Sequence, residues 1–370
     1  MFTDHEGDWL MGVVKINFPH DGDVLTRGDG RETPESLTIR VQGAVPEGAG
    51  ELSVNGTPAT SQGTLFSCDV ALRERRNTIT VRGGGKEQTL DVWWKKGGRK
   101  QYRFSVDDNI QFLKDLGTNP DQYPSLFNHW YLGFWRDLHR EFGLKLHLNI
   151  YYQTDGFDLT QMPEKWKEEW QANADWLHLS FHALQDKPDR PYRNARYAQL
   201  AHDFDLVTDQ IRRFAGNEVL SSTTTLHWAE CPKDAVAALR DRGIETLIAL
   251  FQPQGYAGPC TTGYYLSREQ CAYCDTRSAW HDRETGLTFI RCTAVINAIE
   301  APDIVPYLDA HTATPATAEM AELLIHEQYF RKDLDLYQPT VMEKVRTALE
   351  WVSQRGYEPV FWCDGFLGGK

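Results

Sequence analysis

The chain changes grammar once, at the polar, glycine-containing stretch Lys95-Lys-Gly-Gly-Arg-Lys100, and that change constrains the fold more than any single motif. Upstream, short segments alternate apolar and polar residues: Leu37 to Val41, Glu51 to Val54, Leu65 to Val70, Asn77 to Val81 and Thr89 to Trp94. Asn55-Gly56, Asp29-Gly30 and Gly83-Gly84-Gly85 stand between or beside them, where backbone with positive φ is cheap. Strands of about five residues with one apolar face each are economically buried as a small β-sandwich, so residues 1–97 are expected to form one. Downstream, strand-length and helix-length segments alternate. Arg103 to Val106, Lys145 to Tyr152, Ser222 to Leu226, Thr246 to Phe251, Glu322 to Ile325 and Pro359 to Trp362 read as strands. Ile110 to Leu116, Trp130 to Phe142, Ala198 to Phe214, Pro232 to Arg242 and Val341 to Gln354 read as helices. About seven such units over residues 98–370 fit a parallel α/β barrel, complete or partial, better than an open sheet, since no glycine-rich phosphate loop follows an early strand.

Charge narrows the partners. The 370 residues carry 39 Lys+Arg against 52 Asp+Glu, a net charge of −13, and no long basic run, which argues against nucleic acid and other acidic polymers. No apolar run approaches the ~20 residues of a membrane span, and Met1 leads into Phe-Thr-Asp-His-Glu rather than a basic stretch and apolar core. As written, the chain is expected to be cytoplasmic, with the compartment open if a leader precedes it. Seven cysteines argue against a disulfide framework in a chain of this size.

Three constellations carry chemistry. Ser105-Val-Asp107-Asp108-Asn109 ends the first strand of the downstream region, where barrel enzymes place their catalytic groups. One carboxylate there suits a cation and the other a proton, although Asp107 or Asp108 would equally cap the helix beginning near Ile110. Trp176-Leu-His178-Leu-Ser-Phe-His182 sets two imidazoles four positions apart, which in a helix or tight turn brings both to one side for a zinc-type ion. Asp108, His178 and His182 together make three ligands and leave positions open for water and substrate. That set suits zinc first, and also cobalt, nickel, manganese or iron. Leu323-Leu-Ile-His326-Glu327 delivers a histidine at a late strand end, suited to protonating a leaving group or held by backbone alone.

The order Ser-Val-Asp-Asp-Asn, then His-Leu-Ser-Phe-His, then Leu-Leu-Ile-His-Glu resembles the polysaccharide deacetylases of carbohydrate esterase family four over roughly residues 100–365. The resemblance implies a distorted barrel of about seven β/α units, one divalent ion on Asp108, His178 and His182, Asp107 as general base and His326 as general acid. It implies an acetylated carbohydrate as substrate. The run Val-Asn-Gly-Thr-Pro-Ala, a strand, then Arg-Arg-Asn-Thr-Ile-Thr-Val resembles the immunoglobulin-like modules that precede many carbohydrate-active catalytic domains.

The chain also departs from the family. Asn109 replaces the usual Gly, and Leu179 replaces the Ser/Thr after the first His. Ahead of the helix at Ala235, where the family carries an arginine that orients the catalytic Asp, the chain reads Leu226-His227-Trp228-Ala229-Glu230-Cys231. His227 is placed to take the orienting role or to approach the metal, and a packed strand-end histidine is the plainer reading. No copy of the fourth motif is evident. Cys271-Ala-Tyr-Cys274, with Cys260 upstream, has the spacing of a metal knuckle, for which His281 is the near fourth ligand; buried thiols account for it better. Trp130, Trp135, Tyr151, Tyr152, Trp228, Tyr264 and Tyr265 suit either sugar stacking or an aromatic core. The expected activity is removal of acetyl groups from an N- or O-acetylated carbohydrate. The alternatives are a carbohydrate-binding protein with a vestigial metal site and a hydrolase of amides outside sugars.

Overall fold

The structure, a computed structural model, describes residues 14–48, 50–251, 262–365 and 367. In the upstream region, two five-stranded sheets share one apolar interior. One runs Lys15–Phe18, Leu37–Ala44, Leu65–Leu72, Thr60–Gln62, with Gly30–Glu32 also on Leu37–Ala44. The other runs Val24–Leu25, Lys86–Trp94, Arg76–Gly83, Ser53–Val54, Thr57–Pro58. Alternation does the sorting: Leu37, Ile39 and Val41 are buried from the first sheet, and Ile79, Val81, Leu90 and Val92 from the second. Asn55 and Gly56, both at positive φ, make the tight turn between Ser53–Val54 and Thr57–Pro58.

The downstream region is mixed α/β. A parallel sheet runs Leu177–Ala183, Leu146–Tyr151, Gln101–Asn109, Met320–His326, Ala294–Val295, with Glu358–Pro359 added to Gln101–Asn109. A second sheet runs Thr223–Thr224, Thr246–Ala249, Leu287–Arg291, Ala279–Asp282, the last pair antiparallel. Among the described residues no strand ladder joins the two sheets, and Leu179 bridges only to Leu220, outside the second sheet, so the ladders form two sheets rather than an unbroken ring. The expected strand at Ser222 to Leu226 pairs only at Thr223–Thr224, because the chain then turns through Trp228 and Ala229 at positive φ. The expected last strand is likewise short, and Trp362 lies in a turn beyond it.

Helices Trp130–Phe142, Tyr197–Phe214, Lys233–Arg240 and Val341–Gln354 pack their apolar stripes on these sheets. With both faces covered, all nine residues of Gln101–Asn109 are buried. The regions upstream and downstream of Lys95 are tied by polar contacts. Tyr273 donates to the Asp23 carboxylate at 2.7 Å, Arg277 pairs with Asp29 at 2.8 Å and Arg27 with Glu319 at 2.7 Å. No helix among the described residues is long and apolar enough to cross a membrane.

Candidate metal and catalytic site

In a regular strand, neighbouring side chains face opposite ways, so Asp107 and Asp108 would not share a cavity. The pairing of Gln101–Asn109 with Leu146–Tyr151 slips between Val106 and Asn109, and Asp108 adopts φ 63°. This local irregularity, of the kind an Asp tolerates better than most side chains, lets both carboxylates line one cavity.

Asp108, His182 and His227 meet there as a buried group whose candidate ligand atoms all lie within 4.8 Å of one another. Asp108 Oδ1 is 3.0 Å from His182 Nε2 and 3.4 Å from His227 Nδ1, and the two imidazole nitrogens are 3.3 Å apart. Ligand atoms at bonds of roughly 2.0–2.2 Å and tetrahedral angles around one zinc-type ion are separated by about 3.3–3.6 Å, so the spacing is close to that of a single ion. The donor set, one carboxylate and two imidazoles, also fits a divalent first-row metal with positions left open. His182 Nδ1 donates to the Thr225 carbonyl, which fixes the tautomer that turns Nε2 to the group. Tyr151 donates its hydroxyl to Asp108 Oδ1 and lies 3.0 Å from His227 Nδ1; Gln328 Nε2 donates to Asp108 Oδ2 at 2.6 Å. His227 arrives on the strained turn noted above, with Trp228 at φ 68°, the kind of backbone that persists where surroundings hold it.

His178 is not part of this group, which corrects the expected ligand set. Leu177–Ala183 is a strand, not a helix or turn, so residues four apart share a face but sit about 13 Å apart along it. His178 stacks on Phe361 at 3.7 Å between ring centroids, and burial pushes its pKa down to about 4, keeping it neutral. Neither Asp107 nor Asp108 caps the helix Gln111–Thr118. Buried Glu327 does, accepting from the backbone N–H of Ile110, Gln111 and Phe112 at 2.8, 2.9 and 2.7 Å. Cys271 and Cys274 are buried on the helix Arg268–Asp275, and no metal-ligating group among the described residues includes them or His281. Cys260 lies outside the described residues.

Asp107 and His326 are directly paired across the parallel ladder and both line the cavity. Asn149 Nδ2 donates to Asp107 Oδ1 at 2.5 Å, and His326 Nδ1 is 2.9 Å from Asn297 Oδ1. Electrostatics separate the two carboxyls. Burial raises the pKa of Asp107. Burial would also raise that of Asp108, but the hydrogen bonds from His182 and His227 outweigh it and hold the group well below the usual carboxylate range. His182 is depressed by burial and raised by the neighbouring Asp107 and Asp108, with a net upward shift.

The cavity has a volume of about 1150 Å³. Phe157, Trp228 and Tyr329 offer flat faces, Gln111, Gln153 and Gln185 offer amides, and Lys187 is the single Lys or Arg on its described lining. Asp155, Asp158, Asp186, Asp189 and Asp335 line it too, and Lys187 pairs with Asp189 at 2.7 Å. Of the aromatic residues singled out above, Tyr151 and Trp228 line the cavity, whereas Trp135 and Tyr264 belong to the core. Asn149 and Gln328 were missed by motif reading. For Asn149 the signal is alternation: Arg103/Ser105/Asp107, His147/Asn149/Tyr151 and His178/Ser180/His182 place polar residues at every second position of fully buried strands, whereas Gln328, in the turn Glu327–Phe330, carries no such signal.

No family model and no curated protein sequence matches the chain. Among solved structures, 4-alpha-glucanotransferase from Thermococcus litoralis overlays with a TM-score of 0.44 at 13% identity, covering 69% of this chain but only 37% of its own. A putative polysaccharide deacetylase from Mycobacterium smegmatis gives 0.41 at 11% identity, covering 70% and 85%. A polysaccharide deacetylase from Bacillus cereus gives 0.32 at 12% identity, covering 70% and 90%. Likeness at this level carries no argument about activity; polysaccharide deacetylases stand among the neighbours of an α/β chain whose own site geometry has to speak for its chemistry.

Proposed function

We propose that the chain is a metal-dependent hydrolase that removes acetyl groups from an N- or O-acetylated carbohydrate, with residues 98–370 as a distorted barrel-type catalytic domain and residues 1–97 as an immunoglobulin-like sandwich. The observation that supports this most is the grouping of Asp108, His182 and His227 in the same cavity as Asp107 and His326. Asp108 Oδ1, His182 Nε2 and His227 would hold one divalent ion. When bound, such an ion polarises an acyl carbonyl and lowers the pKa of water.

The protein's own groups supply the remaining work. Asp107, held at Oδ1 by Asn149, accepts the proton of the attacking water. His326, oriented by Asn297, gives a proton to the departing sugar oxygen or nitrogen. Tyr151 and Gln328 hold the Asp108 carboxylate in place. A cavity at or beyond the roughly 300–1,000 Å³ of small-molecule sites, with aromatic faces and amides, suits several sugar rings, and its carboxylate lining disfavours polyanions.

The test is acetate release from acetylated chitooligosaccharides, xylan and peptidoglycan fragments by zinc-, cobalt- or manganese-loaded protein. Asp107→Asn is expected to retain the ion and lose about 10²–10⁴-fold in kcat. Affinity for these glycans without acetate release would instead favour a binding protein, and turnover confined to small non-sugar amides would move the substrate class.

A further inference from the structure

Asn149, which hydrogen bonds Asp107, is the last of a buried polar series that begins at an ion pair four residues earlier on the same strand as Asp107. Arg103 and Glu322 are fully buried and doubly hydrogen bonded, Nε to Oε2 at 2.9 Å and Nη2 to Oε1 at 2.8 Å. Ser105 and Trp362 also donate to that carboxylate, at 3.0 and 2.7 Å. The remaining Arg103 nitrogen, Nη1, lies 2.5 Å from His147 Nδ1.

A guanidinium has only hydrogens to give, so Nδ1 accepts and the imidazole proton sits on Nε2, 2.8 Å from Ser180 Oγ. Ser180 receives that hydrogen and sends its own to Asn149 Oδ1 at 2.5 Å. Asn149 therefore turns its NH₂ away from Ser180, one hydrogen to Asp107 Oδ1 at 2.5 Å and the other toward Thr225 Oγ1 at 3.3 Å. Thr224 Oγ1 is a second acceptor for Ser180 at 3.1 Å, but the Thr225 backbone N–H, which can only donate, also meets Asn149 Oδ1 at 3.4 Å, so the amide oxygen faces that side and its NH₂ faces Asp107. Arg103, His147 and Asn149 are each 0% exposed, so no solvent competes for these contacts.

We propose that Asn149 is the positioning residue for Asp107, and that the Arg103–His147–Ser180 series sets the direction of its amide so that Asp107 Oδ1 is always met by a donor. The inference rests on the reading of Asp107 as proton acceptor. It assigns one Asp107 oxygen to the protein and leaves the other for the reacting water.

Two variants of similar size separate positioning from bulk. Asn149→Asp keeps the acceptor for Ser180 but offers Asp107 no hydrogen, and Asn149→Leu removes both. Each is expected to bind as much zinc per chain as wild type in the same measurement, and to lose on the order of 10²-fold in kcat with KM within about threefold. Crystals of either zinc-loaded variant are expected to show the Asp107 carboxylate rotated from its wild-type position. Ser180→Ala is expected to lower kcat by roughly tenfold, and Ser180→Thr to restore it. Wild-type kcat in both Asn149 variants, or an unmoved Asp107 carboxylate, overturns the proposal. If wild type releases no acetate from any substrate, the proposed activity fails, while the Asp107 orientation in the Asn149 crystals still decides the positioning role.

Discussion

Asp108 and His227 owe their places to unfavourable backbone, and that is where the chemistry is most exposed to mutation. Asp108 at φ 63° and Trp228 at φ 68° occupy a region non-glycine residues visit reluctantly, at a cost of order 1–3 kcal/mol each. Relaxation at either position would swing a ligand out of the group. Metal content is the direct readout: Asp108→Ala, His182→Ala and His227→Ala are each expected to lower bound zinc at least tenfold after dialysis, whereas His178→Ala keeps it. Zinc lost from His178→Ala and kept by His227→Ala would restore the ligand set suggested by the sequence spacing. That spacing was misleading for a simple reason. An i,i+4 pair has meaning only with its secondary structure, and Leu177–Ala183 stretches the pair apart, while the imidazole that lies beside His182 is His227, from a turn 45 residues on. Asp107, Asp108, His182 and His326 were legible in the order of the motifs, and all four line the cavity.

At the scale of elements, the helix Gln111–Thr118 shows how a local rule is met from far away. Its N-terminal N–H groups need an acceptor, and sequence alone suggests the aspartates immediately before it. The acceptor is Glu327, 217 residues from Ile110, brought there because Met320–His326 pairs in register with Gln101–Asn109. Glu327→Ala leaves three backbone donors without their partner and is expected to cost about 3 kcal/mol in urea denaturation, with Glu327→Gln costing less. A loss under about 1 kcal/mol in the alanine variant would mean that water or another group takes over the cap. The long helices were readable from their apolar periodicity, and Trp130–Phe142 ends at Gly143 in the left-handed conformation as its sequence suggests. In the second sheet Thr223–Thr224 and Thr246–Ala249 fall within expected strands, whereas the antiparallel pair Ala279–Asp282 and Leu287–Arg291 was not expected, since four- and five-residue segments leave little periodicity to read. The polar stripe through the central strands was visible but ambiguous until registers placed His147 beside His178 and Asp107 beside His326.

For the molecule as a whole, buried titratable groups make stability depend on pH. His178 has its folded pKa depressed to about 4, below its ordinary 6.5, so its contribution is fully present above pH 6.5 and is lost as pH falls toward 4. Asp23, pushed by burial up to about 6 despite Arg277 and Tyr273, works the opposite way: its contribution is present below about pH 4 and is lost as pH rises through 6. Urea titrations at pH 7 and 4.5 are expected to show wild type losing about 2 kcal/mol more than His178→Gln, and Asp23→Asn becoming more acid-sensitive than wild type. Equal losses in wild type and His178→Gln would show that the imidazole is charged in the fold or that its site opens to water. Two stretches of different grammar on either side of Lys95 were legible. Their joining was not, since Asp23, Asp29 and Arg27 read as ordinary surface charges until Tyr273, Arg277 and Glu319 meet them.

Three consecutive residues at one strand end serve three separate structures: His326 faces the cavity, Glu327 secures a helix and Gln328 steadies Asp108. An insertion or deletion within this tripeptide shifts at least one of the three out of register. Diversification of the pocket by directed evolution should therefore spare 326–328 as a block and draw its variety from Gln153–Thr154 and Phe157–Asp158, where a short hairpin borders the same space.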